Sequence, residues 1–284
     1  MTTALLTLPK LDLGRRLARG LALGELTAAA ALLREQWQAE GVLHGEVIVD
    51  LRDWTDTAAA LQAIDAGMQT LDAATPWSYA LIVALDAPWP ELPELVLDAE
   101  VPSVRGVLAT ADVELQALGE TWQKVHAAGW QRMIHAERGP RLKQAFTLGF
   151  ERLVGGVGLM READLLTHLR AHRLPVLLSP SAQLAEKSVA SWAQHPLRQL
   201  TEAGVTTVIG SGWPQAVSPT LSAELESVSK HHHWRLEQLR TLMTRNAEAA
   251  AIAPEARFGI ARQIESWRHR PHATPAAKGD GWTL

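Results

Sequence analysis

The sequence has no cysteine among its 284 residues. Disulfides, thiolate zinc sites, iron–sulfur clusters and a cysteine nucleophile are therefore excluded. Tyrosine occurs once and phenylalanine three times, against eleven tryptophans, so aromatic packing falls to indoles. No stretch approaches the roughly 18 uninterrupted apolar residues of a membrane span. The opening MTTALLTLPKLDLGRR carries its charges after a short apolar part, the reverse of a secretory signal. Nor does one charge sign dominate: 27 Lys and Arg stand against 31 Asp and Glu, for a net charge of −4. That balance gives no reason to expect nucleic acid or an anionic membrane as partner. Together these absences predict a cytoplasmic protein.

What is present is ordinary for a globular chain: 47% apolar and 20% charged residues. Short apolar, β-rich runs recur at Leu11–Leu13, Leu43–Asp50, Tyr79–Asp86, Val104–Ala109, Trp130–His135, Arg152–Val154, Leu174–Leu178 and Thr206–Ile209. Helical periodicity separates them at Leu26–Glu40, Thr57–Ala73, Glu114–Ala128, Arg161–His172 and Leu184–Ala203. Strand and helix alternating eight times predict an α/β fold, a closed parallel (β/α)8 TIM barrel, over a doubly wound open sheet. Two further helical stretches follow, Leu221–Ser229 and Trp234–Ala250. The expected organisation is one barrel domain over residues 1–268 and a flexible tail over 269–284, rich in Pro, Gly and Ala.

Several segments resemble, in order and spacing, the adenosine deaminase family of the amidohydrolase superfamily. Leu8-Pro9-Lys10-Leu11-Asp12-Leu13 resembles the first-strand motif LPKxELHxHL. His135-Ala136-Glu137 resembles HAGE, and Arg152–Val157 (RLVGGV) resembles RIGHGV. Leu178–Gln183 (LSPSAQ) resembles VCPTSN, and His195-Pro196-Leu197 followed by Ala203-Gly204-Val205 resembles HPLxxLxxAGV. Gly210–Pro214 falls on the eighth-strand NTDDP, and Leu239–Ala249 resembles the C-terminal helix with its RNS-type motif.

The resemblance implies hydrolytic deamination of a purine by one zinc ion. It also implies that most of the required side chains are missing. The two first-strand histidines fall at Gly14 and Arg16, and the glutamate of HAGE falls at Arg138. The histidine of RIGHGV falls at Gly155, and the paired aspartates at Gly212 and Trp213. Of the four metal ligands the family implies, only His135 is retained, and a lone imidazole does not hold zinc at useful affinity. The stretch between Gly20 and Leu43 has room for one helix, so the family's helical lid is expected to be absent.

Each remaining candidate has two readings. His135 reads as a relic ligand or as a hydrogen-bonded strand-end histidine. Asp50, Asp86, Asp112 and Glu137 stand at strand ends, as a convergent acidic cup or as caps of the following helices. For Asp50 an ion pair with Arg52 is a third possibility. Ser179 lacks a nucleophile elbow. Gly155–Gly158 is a weak phosphate-loop signal. His231-His232-His233 has the wrong spacing for one ion and reads as a solvated turn.

The expectation is a deaminase-like pseudoenzyme without zinc or other cofactor. It would bind a purine-like or anionic ligand, or a protein partner, which could be a second copy of itself. The ligand-binding candidates are Arg16, Asp50, Asp86, His135, Glu137, Arg138, Ser179 and Trp213, with Arg16, Arg138 and Trp213 filling the cup. The alternative is a divergent hydrolase with a rebuilt site at the carboxyl ends of the strands.

Overall fold

The computed structural model describes residues 2–17, 20–69, 77–212 and 220–268. Its strands are β1 (Lys10–Arg16), β2 (Val42–Val49), β3 (Ser78–Leu85), β4 (Val104–Ala109), β5 (Gln131–Ala136), β6 (Arg152–Gly155), β7 (Val176–Leu178) and β8 (Thr207–Ile209). All neighbours pair in parallel, in sequence order, which is the topology of the predicted barrel. The helices, in chain order, are α1 (Thr2–Thr7), α2 (Leu26–Ala39), α3 (Thr57–Met68), α4 (Leu92–Asp98), α5 (Gly119–Ala127), α6 (Pro140–Leu148), α7 (Ala163–His172), α8 (Pro180–Ala185), α9 (Leu197–Glu202), α10 (Leu221–His232), α11 (Leu236–Ala249) and α12 (Pro254–Ser266). Among the described residues, the β1–β2 connection holds only a 3-10 turn and α2, so no lid covers the mouth from there.

Two apolar layers form. The larger lies between the strands and the surrounding helices. The smaller fills the barrel itself, from Ile48, Ala80, Ile82, Ala84, Leu108, Met133 and Ala251. Below it, at the amino ends of the strands, Arg152 and Glu46 form a fully buried ion pair across the barrel.

The seam between β1 and β8 is closed by side chains. Asn246 of α11 donates to Leu11 O (2.9 Å) and Ile209 O (2.6 Å), and accepts from Ile209 N (3.0 Å). Just past β8, Ser211 N donates to Asp12 Oδ1 at 2.7 Å. Gly210 is required here, because a β-carbon would collide with Leu13 O.

Three sequence expectations differ from the structure. Leu184–Ala203 is not one helix: α8 ends at Ala185, a 3-10 turn covers Trp192–Gln194, and α9 starts at Leu197. Pro196 disfavours helix at His195 and cannot donate in a helix interior. Helices α1, α4, α6 and α12 were not anticipated. His231–His233 is a solvated turn only in part: His233 forms the turn after α10 and is exposed, whereas His231 and His232 close the helix, His232 is buried, and the exposed His231 stacks on Trp192 at 4.6 Å. The tail over 269–284 lies outside the described residues.

Candidate functional site

The strand ends of β5, β6 and β7 bring one polar group of side chains together. Glu137 follows β5. Its carboxylate accepts from Val157 N (3.1 Å) and Gln183 Nε2 (3.0 Å), and stands 3.6 Å from His135 Nε2. A β-carbon on Gly155 would stand 2.8 Å from Glu137 Cδ. Glu137 therefore occupies the space that the missing side chain at Gly155 leaves open. Glu137, one of the ligand-binding candidates, thus stands beside His135 and Gly155 at the ends of β5 and β6.

Arg138, which the motif register places in the cup, points the other way. It is exposed, and its Nη2 donates to Ser188 O. Successive residues of an extended chain face opposite sides, so only one of Glu137 and Arg138 can face the mouth.

Behind Glu137 runs a directed chain of hydrogen bonds. Leu197 N donates to His195 Nδ1 at 3.2 Å. In a neutral ring the proton must then sit on Nε2, which meets Gln183 Oε1 at 2.9 Å. Gln183 thus presents its amide N–H to Glu137. Burial, aided by His232, pushes His195 down to about 4, so the ring stays neutral at physiological pH. For Glu137, burial alone would raise the carboxyl. The hydrogen bonds from His135, Gln183 and Val157 outweigh it and hold the group below the usual carboxylate range.

Glu186, at the carboxyl end of α8, has the opposite shift. Burial raises it and the Glu137 charge adds to that, while His135 and Arg16 oppose. Arg16, at the end of β1 and largely buried, therefore shares one electrostatic neighbourhood with His135, Glu137 and Glu186. Ser179 borders the same region beside Gly212. Gln183, His195 and Glu186 were not among the candidates, although the first two lie within the recognised segments LSPSAQ and HPL.

Of the readings open for the strand-end acids, Asp50 takes both the cap and the ion pair with Arg52, and Asp50 and Asp86 do not join Glu137 in an acidic cup. Asp50 binds Arg52 through Nε (2.8 Å) and Nη2 (2.6 Å), and Asp86 takes Nη1 of the same guanidinium at 2.8 Å. Asp50 also accepts from Arg52 N, capping the turn after β2. Asp112 is exposed near Arg141, which itself ties together His135 O, Val113 O and Thr110 O. Trp213 lies outside the described residues.

The fit of a family-type zinc ion can be judged from the space at each ligand position. At Gly14 a β-carbon would meet Leu177 Cδ2 at 3.0 Å and Ile48 Cδ1 at 3.5 Å. At Gly212 it would meet Ala182 Cβ at 2.9 Å and Ser179 Cβ at 3.0 Å. Among the described residues, no three His, Asp or Glu side chains are arranged to hold a metal. The described residues at these positions do not fit the ion.

Comparison with known proteins agrees with the fold and the motif order. The family model for adenosine deaminase matches residues 110–267. Aminodeoxyfutalosine deaminase of Streptomyces avermitilis is 28% identical over 50% of this chain and 40% of its own length. Adenine deaminase of Rhodopseudomonas palustris is 21% identical over 81% of this chain and 72% of its own length. The chain thus spans less than half of the first of these relatives. Among solved structures, N6-methyl-AMP deaminase of Arabidopsis thaliana superposes with a TM-score of 0.81 at 14% identity, covering 94% of this chain and 98% of that one. Adenine deaminase of Arthrobacter aurescens gives 0.77 at 20% identity, covering 86% and 80%. At such identities the structures speak to the fold alone. The family match, spanning more than half of the sequence, places this chain in the adenosine deaminase family.

Proposed function

We propose that this member of the family does not carry out zinc-dependent deamination and acts by binding, taking a purine-like or anionic small molecule at the barrel mouth or a protein partner. The observation that carries this reading is the crowding and positive φ at Gly14, Gly155 and Gly212. An added β-carbon would press on Leu177 at Gly14, on Glu137 at Gly155, and on Ser179 and Ala182 at Gly212, and all three glycines hold a positive φ that other residues rarely adopt. Water activation by a metal needs several ligands and an open coordination position, and His135 alone provides neither.

The chain's own residues suit ligand capture. Glu137, held ionised, is an acceptor for an exocyclic amine or a ring N–H. Gln183 and His195 fix its orientation, and Arg16 offers positive potential to an anionic group. The names of the relatives make adenine-bearing molecules the first to test.

The experiment is metal content by plasma mass spectrometry on protein purified without a nickel column, together with ammonia release from adenine, adenosine and AMP. The reading expects metal far below one per chain and no ammonia release. Stoichiometric zinc that leaves on His135→Ala, or any turnover lost with Glu137→Gln, overturns it.

A further inference from the structure

Outside the mouth, the loops after β5 and β6 and the segment after α8 enclose a polar cleft of about 870 Å³. Its charged lining is Arg138, Arg161, Lys187 and Glu162. Glu162 is already engaged by Lys143 at 3.7 Å, a cation that does not line the cleft. Among the described residues, neither Arg161 nor Lys187 has a carboxylate within ion-pairing distance. The cleft is therefore cationic on a chain whose net charge is −4.

The arrangement is also held in place. The Arg138 guanidinium crosses the cleft to Ser188 O, spending one of its five N–H donors. Lys187 sits in the left-handed region at φ 59, with its N–H donating to Leu184 O at 3.1 Å. Val189 N donates to Gln183 O at 3.3 Å, anchoring the same segment to the site described above.

We propose that the cleft between Arg138, Arg161 and Lys187 binds the phosphoryl group of a phosphorylated small molecule. Three separate cations suit a group with several anionic oxygens, whereas one guanidinium fork satisfies a carboxylate. The volume far exceeds that of a bare anion and falls in the usual range of small-molecule pockets, about 300–1,000 Å³. Val157, Val189 and Ala193 supply apolar surface for the rest of the molecule, and Gln194 and Gln199 supply neutral donors. The site stands independently of what the mouth binds.

The test is titration calorimetry at low ionic strength on the full chain, with inorganic phosphate, pyrophosphate and AMP as probes. AMP should bind at one site per chain and at least ~10-fold more tightly than phosphate. Arg161→Gln and Lys187→Gln should each weaken it by about tenfold, as expected for a lost charge-assisted hydrogen bond. Both side chains are exposed, so these variants should keep the wild-type circular dichroism spectrum. Lys230→Gln, on the exposed face of α10, should change nothing. No saturable heat from any probe at about millimolar concentration overturns the proposal. So does equal affinity for AMP and phosphate, which would leave only a site for free anions. AMP binding lost with His135→Ala but untouched by Lys187→Gln would place the nucleotide in the mouth, and also overturns it.

Discussion

Replacing Arg152 by Met tests the buried charge under the barrel. Both partners of the Arg152–Glu46 pair have fully buried side chains. Arg152 Nη2 donates to Glu46 Oε1 (2.9 Å), Gln131 Oε1 (3.0 Å) and Ala249 O (2.5 Å), and Nη1 meets Glu46 Oε2 at 2.5 Å. Removing the guanidinium leaves Glu46 with Ala251 N at 2.7 Å and His44 Nε2 at 4.0 Å. An orphaned buried charge of this kind costs about 3–5 kcal/mol. The cost should depend on pH, because among the described residues His44 is the other cation-forming group against Glu46 that is fully buried. In the intact protein, burial pushes His44 down to about 4, with Glu46 raising it and Arg152 lowering it. Its folded value is below its unfolded value of 6.5, so the stability tied to its neutral form is present above pH 6.5 and is lost as pH falls towards 4. Without Arg152, His44 can protonate and partner Glu46, and that acid loss shrinks. At pH ~5 the difference is worth about 2 kcal/mol. Urea unfolding followed by tryptophan fluorescence should therefore show a destabilisation of about 3–5 kcal/mol near pH 7.5, falling to about 1–3 kcal/mol near pH 5. Adding Glu46→Leu to Arg152→Met should recover most of the loss at neutral pH. A cost below ~1 kcal/mol at both pH values, or one that grows on acidification, refutes the reasoning.

Other changes test the seam and the mouth. Asn246→Ala removes three buried hydrogen bonds between α11, β1 and β8, and should cost about 2–4 kcal/mol in urea unfolding. A loss below ~0.5 kcal/mol, as for an ordinary surface substitution, would contradict its role as the closure. His195, lowered to about 4 by burial, gives stability that fades as pH falls below 6.5, so His195→Gln should flatten the acid limb of the stability profile. An unchanged slope would show that the ring is not held neutral. Gly155→His should lower the melting temperature by several degrees, since φ is +95 there and Glu137 fills the space. A stabilised variant would mean that the carboxylate moves aside freely.

The barrel was legible because continuous β-branched and apolar runs at regular spacing mark buried parallel strands. Arg152, His195 and Asn246 were each inside a recognised segment, yet their tasks were not readable there. The partners of Arg152 and Asn246 stand from 21 to 235 residues away, and the orientation of His195 depends on a backbone N–H. The break in Leu184–Ala203 was hidden by residues that suit a helix until Pro196. Glu137 and Arg138 show a different limit. Motif register assigns a role to a position, but the face a side chain takes depends on the space around it. Here that space lies beside a glycine on another strand, Gly155. The acids at Asp50 and Asp86 looked like site residues because strand ends are where site residues sit, and Arg52 claims both.

The glycines at the mouth also bear on engineering. At Gly14, Gly155 and Gly212 the backbone sits at positive φ, and an added β-carbon would press on leucine, on a carboxylate, or on a serine and an alanine. A larger side chain at any one of them must strain the backbone and displace a neighbour before it gains a coordination partner. A designed metal centre here therefore requires each new ligand to be introduced together with changes to the residues that face it.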